Sequence, residues 1–262
     1  MDMTLLTGAC GGLGGAFAHL LAARGEPLLL TGRSRERLDA LARALAAQYS
    51  VPVETFVCDL TDSGARQALF CFADAKEIAF SRLVYVAGID TQKAAENFTE
   101  EKLVAQARVN LEGAVSLMRG VFLRRSANGI CELLAIGSMS GVSPMPYFAL
   151  YSATKKALEQ YCIALRTEWK GRAKVTVVLP GGIPTRQDIR ENIAAHGWFG
   201  KVSALPPEAV AARALRAVAN NRRRVVIGFW NKLLYCGMRL VPLSWRLRAI
   251  AKIWKNTEKD AF

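Results

Sequence analysis

The chain has 262 residues, of which 52% are apolar and 22% charged; that balance excludes disordered and low-complexity classes and suffices for the core of one or two domains. Six cysteines without a CxxC pair and only two histidines, His19 and His196, exclude zinc-finger spacing and a His-rich metal site, so no metal is expected. The net charge of +13 is unevenly placed, because residues 209–257 hold 11 of the 35 Lys/Arg and none of the 22 Asp/Glu; the body is close to neutral, and the basic balance does not imply nucleic-acid binding.

The first apolar run, Met3 to Thr7, reads as a strand that starts at once, with no signal peptide expected ahead of it. With no disulfide-scaffold pattern among the cysteines, a reducing, cytoplasmic setting is the expectation. No uncharged apolar run approaches the ~18 residues of a membrane span. The strand runs into Thr7-Gly8-Ala9-Cys10-Gly11-Gly12-Leu13-Gly14, and a helical pattern follows with Leu13, Phe17, Leu20 and Leu21 on one face. Glycines there let the backbone turn sharply and approach a pyrophosphate, while the helix N-terminus offers free N–H groups and partial positive charge. The same glycines also suit a tight turn alone; their position between a first strand and a helix favours the dinucleotide.

A second strand, 27–31, leads to Gly32 and then Arg33-Ser34-Arg35. An acidic residue here would bind the ribose 2′-hydroxyl of NAD; an Arg fits a 2′-phosphate instead, so NADP is expected over NAD, with Arg33 as its partner. The alternative is that Arg33, Arg35 and Arg37 form a solvated face at a helix start. Leu38, Leu41 and Leu45 mark that helix's apolar side. The third strand, 53–57, leads to Asp59 and Leu60; the Asp59 carboxylate suits the adenine amino group, or an N-cap for the next helix.

Further strands are expected at 82–87, 130–136, 175–179 and 224–228, several of them continuous apolar runs of the kind buried on both faces. Their alternation with helical segments implies parallel βαβ units. The predicted fold is α/β, a doubly wound parallel sheet of about seven strands in a three-layer Rossmann-type arrangement. Residues 1–228 form one dinucleotide-binding and catalytic domain, and 229–262 a basic amphipathic extension of it. Between strands five and six, Tyr151-Ser152-Ala153-Thr154-Lys155 puts Tyr151 and Lys155 on the same helix face. A phenol titrates near 10 on its own, and a neighbouring ammonium stabilises the phenolate, which makes the pair a general acid/base candidate. Leu158, Cys162, Leu165 and Trp169 continue the apolar stripe of this helix.

Taken in order, these motifs resemble the single-domain short-chain dehydrogenases/reductases over about residues 3–228. The family pattern TGxxxGxG matches Thr7 to Gly14, its helix-four Asn matches Asn110, and its Ser after strand five matches Ser138. Its YxxxK pair matches Tyr151 and Lys155, and its PG-x-x-x-T motif matches Pro180 to Thr185. The resemblance implies that Tyr151 is the acid/base and that Lys155 lowers its pKa and binds the nicotinamide ribose. It implies that Ser138 orients the substrate oxygen and that Asn110 supports a water-mediated proton relay. Gly8, Gly11, Gly12, Leu13, Gly14, Ala87, Gly88, Pro180, Gly181, Ile183 and Thr185 would line the cofactor cleft. The family's NNAG reads Tyr85-Val86-Ala87-Gly88 here; both Asn are missing, which questions a sheet-stabilising hydrogen bond more than the chemistry. The family also implies a homodimer or homotetramer, to which the sequence adds apolar Leu117, Met118 and Trp169.

Two stretches are expected to shape the substrate pocket: 142–148, and a lid at 186–205 that carries His196, Trp198 and Phe199. Neither offers a charged cluster, so a small hydrophobic carbonyl compound or secondary alcohol, such as a steroid or a 3-oxoacyl derivative, is expected. The lid aromatics also fit simple packing onto the body. The segment 229–256 reads as two amphipathic basic helices broken near Pro242. Such helices suit peripheral contact with an anionic membrane, or docking over the cleft or a subunit neighbour. Besides catalysis, the fold is compatible with a cofactor-sensing binding or regulatory protein.

Overall fold

The computed structural model describes residues 1–127, 129–185, 187, 189–191 and 202–255. Seven strands alternate with helices: β1 (Asp2–Thr7), β2 (Leu28–Gly32), β3 (Val53–Val57), β4 (Ala79–Tyr85), β5 (Cys131–Ile136), β6 (Ala173–Leu179) and β7 (Arg224–Val226). All pairings are parallel, in the order β3-β2-β1-β4-β5-β6-β7. Strand order reverses between β1 and β4, which opens a crevice at the carboxyl ends where ligands bind in doubly wound sheets.

Helices α1 (Gly12–Ala22), α2 (Arg35–Tyr49) and α7 (Pro207–Ala219) cover one face of the sheet, around Leu6, Phe17, Leu30, Leu45 and Leu215. Helices α3 (Ser63–Ala75), α4 (Glu100–Ala107), α5 (Gly113–Leu123) and α6 (Ala149–Glu168) belong to the other, around Phe70, Leu83, Leu117, Leu133 and Leu158. The predicted apolar faces are there, with Leu13, Phe17, Leu21, Leu38 and Leu45 buried. Leu117 and Met118 are also wholly buried, so they serve the core of the monomer rather than a subunit interface, while the partly buried Trp169 stacks on Phe122 at 3.9 Å.

Several strand ends differ from the expected spans, by one to three residues. β4 begins at Ala79 and stops at Tyr85, because the N–H groups of Val86 and Ala87 donate to the Thr7 hydroxyl instead of a ladder partner. β7 stops at Val226; Gly228, at φ +100°, turns the chain into α8 (Phe229–Leu240). After a break at Val241-Pro242, α9 (Leu243–Trp254) follows. Of the expected lid, 186–205, residues 186, 188 and 192–201, with His196, Trp198 and Phe199, lie outside the described residues.

Candidate active site

The glycine loop between β1 and α1 is shaped by contacts that leave no room for side chains. Gly8 adopts φ +64°, and a Cβ there would sit 3.1 Å from the Ala87 backbone. A Cβ on Gly14 would collide with the Gly8 carbonyl, and one on Gly12 would lie 2.9 Å from Thr185. The loop after β1 therefore meets the Ala87 backbone after β4 and the Thr185 side chain after β6 at close range. Helix α1 follows the N-cap Gly11 without a side-chain cap and has no acidic residue in its first turn, so among the described residues its N-terminal amides have no side-chain partner and suit an anion. A cradle that a single methyl group would fill, next to such a helix start, fits a dinucleotide phosphate.

Around this loop the predicted residues separate. The Arg37 guanidinium donates to the Cys10 carbonyl at 2.6 Å, so this arginine braces the glycine loop rather than facing solvent alone. Arg33 is exposed at the end of β2, where a ribose substituent would lie. Asp59 accepts from the Thr61 N–H at 2.9 Å and from its hydroxyl at 2.8 Å; the cap of α3 is Asp62, which accepts from Gly64. Asp59 is therefore a turn-forming residue beside Leu60 and not the helix cap.

Across the crevice, Lys155 and Asn110 form a buried polar wall. The Lys155 ammonium donates to the Ile136 carbonyl at 2.9 Å and lies 5.6 Å from the centroid of the Tyr151 ring. Burial pushes its pKa down to about 8, with the nearby Asp90 carboxylate opposing the shift. The Asn110 amide donates to the Ile89 carbonyl and to Thr154 Oγ1, and its oxygen accepts from the Ile89 N–H. A Cβ on Gly88 would come within 3.3 Å of Lys155 Nζ and 3.4 Å of Asn110 Oδ1, so glycine lets the chain after β4 lie against both.

Asn110 occupies a π-helical turn, Arg108–Glu112, between α4 and α5. The Tyr85 hydroxyl, at the position where the family has Asn, donates to the Val109 carbonyl of that turn. Thr7 ties β1 to β4 through Val86 and Ala87, so the sheet-stabilising bonds questioned by the loss of NNAG are made by other residues. Ser138 lies two residues after β5 and caps a 3-10 turn, Met139–Val142, by accepting from the Ser140 N–H at 3.0 Å. Gly141 lets this turn close on the backbone of Lys155-Lys156, which brings the Ser138 turn against the helix of Tyr151 and Lys155.

Phe148 lies in the stretch 142–148 expected to shape the pocket, whereas the contacts that the tail residues Trp254, Arg246 and Asn231 make here carry no signal in the sequence. Phe148 stacks on Tyr151 at 4.3 Å, and Trp254 stacks on Phe148 at 5.5 Å, so the end of α9 reaches the wall beside the Tyr151 ring. Arg246 donates to Ser143 Oγ in the same region. Asn231 of α8 is buried and donates to the carbonyls of Ser203 and Ile227; a Cβ on Gly181 would lie 2.6 Å from Ser203 O and 2.7 Å from Asn231 Nδ2. The tail therefore packs directly on the loop that carries Pro180 to Thr185.

A parallel sheet reversed at the crevice, a glycine cradle, and Tyr151, Lys155, Asn110 and Ser138 near the carboxyl ends of the strands make up the candidate site. The family model for short chain dehydrogenase matches residues 2–195, and the chain belongs to that family. It is 33% identical over 186 residues to sulfoacetaldehyde reductase 2 of Chromohalobacter salexigens, covering 69% of this chain and 72% of that one. It is 30% identical over 188 residues to very-long-chain 3-oxoacyl-CoA reductase-A of Danio rerio, covering 70% of this chain and 58% of that one. A solved short-chain dehydrogenase from Sphingobium yanoikuyae in complex with NADPH superimposes with a TM-score of 0.77 at 25% identity, over 92% of this chain and 95% of that one. A 7beta-hydroxysteroid dehydrogenase shares the fold with a TM-score of 0.82 at 24% identity, over 95% and 96% of the two chains. The protein is an NAD(P)-dependent oxidoreductase.

Proposed function

We propose that the protein is an NADP-dependent oxidoreductase acting on a hydrophobic carbonyl compound or the matching secondary alcohol, with Tyr151 as its acid/base. The observation that carries this reading is the buried wall in which Lys155, Asn110 and Gly88 converge, one helical turn from Tyr151 and beside the glycine cradle. NADP(H), when bound, supplies or accepts the hydride. Gly8, Gly11, Gly12, Leu13 and Gly14 would hold its phosphates, and Arg33 the 2′-phosphate. Asp59 and Leu60 border the adenine side, and Ala87 and Gly88 the middle of the cleft. Pro180, Gly181, Ile183 and Thr185 border the nicotinamide side.

Tyr151 gives its hydroxyl proton to the substrate oxygen in reduction and takes it back in oxidation. Lys155, fixed by the Ile136 carbonyl, sets a positive charge near the phenol that stabilises the phenolate. Ser138 orients the substrate oxygen. Both amide hydrogens of Asn110 are committed to Ile89 and Thr154, so Asn110 supports a proton relay by holding the wall beside Lys155. The preference for a hydrophobic substrate rests on the Tyr151-Phe148-Trp254 stack. The family further supports a homodimer or homotetramer built on surfaces other than Leu117 and Met118.

A turnover screen of steroid, 3-oxoacyl and bulky alkyl ketones with NADPH and NADH tests the reading. Tyr151→Phe is expected to lower turnover by ~10²–10⁴-fold while leaving NADPH binding nearly intact. Wild-type turnover by Tyr151→Phe on a validated substrate would overturn the assignment.

A further inference from the structure

The C-terminal helices turn apolar side chains to water. Among the described residues, Phe229, Trp230, Leu233, Leu240, Val241, Leu243, Trp245 and Ile253 are large apolar side chains left exposed, and outside the tail only Met1, Leu103, Leu123 and Ile130 are comparable. In α8, Phe229, Leu233, Cys236 and Leu240 follow one helical stripe, with Phe229 73% and Leu240 86% exposed. In α9, Trp245 and Ile253 lie two turns apart on one side, with Trp245 67% exposed. The side of α8 that meets the body holds the buried Asn231 and the partly buried Leu234, Tyr235 and Met238, so the stripe turned to water is apolar surface beyond what the body covers. An amphipathic helix ordinarily buries its apolar stripe; an exposed patch of this kind, rimmed by polar residues, marks a docking surface.

The rim identifies the partner. Lys232, Arg239, Arg248, Lys252 and Lys255 are exposed beside the apolar stripes, and residues 209–257 contain no carboxylate. A second copy of the chain meeting this surface through a two-fold axis would set the same patch against itself, and its cations against each other. Trp and long basic side chains around an apolar face suit the interface of an anionic bilayer, where aliphatic stems lie along the apolar zone and charges reach the headgroups. Neither helix is long and apolar enough to cross a membrane. We propose that α8 and α9 dock this protein flat on an anionic lipid surface. On the reading of a hydrophobic substrate, the bilayer would hold that substrate near the Trp254-Phe148 stack; the docking itself does not depend on that reading.

Co-sedimentation of the full chain with vesicles measures docking without turnover. Vesicles of phosphatidylcholine alone are compared with a two-to-one mixture of phosphatidylcholine and phosphatidylglycerol, at low and high salt. Each Lys or Arg held near an anionic surface strengthens binding roughly fivefold, so affinity for the mixed vesicles should exceed that for neutral ones at least ~10-fold and fall at high salt. The double variant Leu233→Glu/Trp245→Glu, at exposed positions, should lose at least ~10-fold with an unchanged circular dichroism spectrum. The double variant Arg248→Gln/Lys252→Gln, which leaves the apolar stripes in place, should lose the preference for anionic lipid. Equal binding of wild type and both variants overturns the proposal, and so does a wild type that ignores both vesicles. If the Glu variants instead reduce the particle mass in light scattering while vesicles have no effect, the surface is a subunit interface and the proposal fails.

Discussion

A single buried amine shows how position sets chemistry at this site. Lys155 lies in the core of the crevice wall, and burial holds its pKa down near 8, against an ordinary value of 10.5. Between those values the unfolded chain binds more protons than the folded one, so the Lys155 contribution to stability rises with pH across that window and is lost as pH falls toward 8. Relative to Lys155→Met, wild-type unfolding free energy without cofactor should therefore grow by on the order of 2–3 kcal/mol between pH ~7.5 and pH ~10.5. Urea titrations of both proteins across that range measure it; a constant difference would show that the amine titrates normally. The arginines after β2 divide in the same residue-by-residue way. Arg33→Ala should weaken NADPH by ~10-fold or more, the scale of a charge-assisted hydrogen bond, and leave NADH almost unchanged. Arg37→Ala should weaken both cofactors, because Arg37 holds the Cys10 carbonyl of the glycine loop. Calorimetric titration of both cofactors decides between them, and equal wild-type affinities for NADPH and NADH would refute the role of Arg33. The Tyr151-Lys155 pair is visible in the sequence because one helical turn fixes its spacing. The Arg37 contact is not, because it depends on how the loop after β1 folds back toward α2.

At the scale of elements, the strands and their parallel arrangement were legible because buried parallel strands are short continuous apolar runs set between helical periods. The π-turn at Arg108–Glu112 was not. No residue type marks it, and its support is tertiary: Tyr85 at the end of β4 donates to Val109, and the buried Arg66 of α3 pairs with Glu112 and donates to the Leu60 carbonyl. Tyr85 stands where the family has Asn, so its long phenol reaches a carbonyl that a shorter side chain would leave to another partner. It is fully buried, and burial raises its pKa strongly, which keeps the hydroxyl a donor at all ordinary pH. Tyr85→Phe should leave the Val109 carbonyl unpaired and cost about 1–3 kcal/mol of stability. Because Asn110 follows Val109 in the same turn, turnover should fall as well. Urea unfolding with an unchanged m-value, paired with kcat, checks this; a variant as stable and as active as wild type would mean that the π-turn does not need its tyrosine.

For the molecule as a whole, the question is whether the tail is an accessory or part of the site. The break at Val241-Pro242 was legible, since proline lacks an N–H and disfavours helix before it. The role of Asn231 was not, because a lone Asn in an amphipathic basic helix reads as a solvated position. In the structure it is buried, donates to Ser203 and Ile227, and packs on Gly181. Gly181 begins the loop that ends at Thr185, and Thr185 lies against Gly12 of the cofactor cradle. A chain of contacts, made by the Asn231 and Thr185 side chains against glycine backbone, thus runs from α8 through the loop after β6 to the start of α1. From the sequence, removing residues 229–262 would be expected to weaken turnover of hydrophobic substrates more than cofactor binding. The contacts add a route to the cofactor: truncation after residue 228 also removes Asn231 and its hydrogen bond to the Ser203 carbonyl. Asn231→Ala is expected to cost about 1–3 kcal/mol and to weaken NADPH together with stability. Leu233→Glu, on the exposed side of the same helix, should change neither. Thermal unfolding with and without NADPH, alongside calorimetric titration of the three proteins, separates these effects. If the truncated chain binds NADPH as tightly as the full one, the tail is not coupled to the cofactor cradle through Asn231.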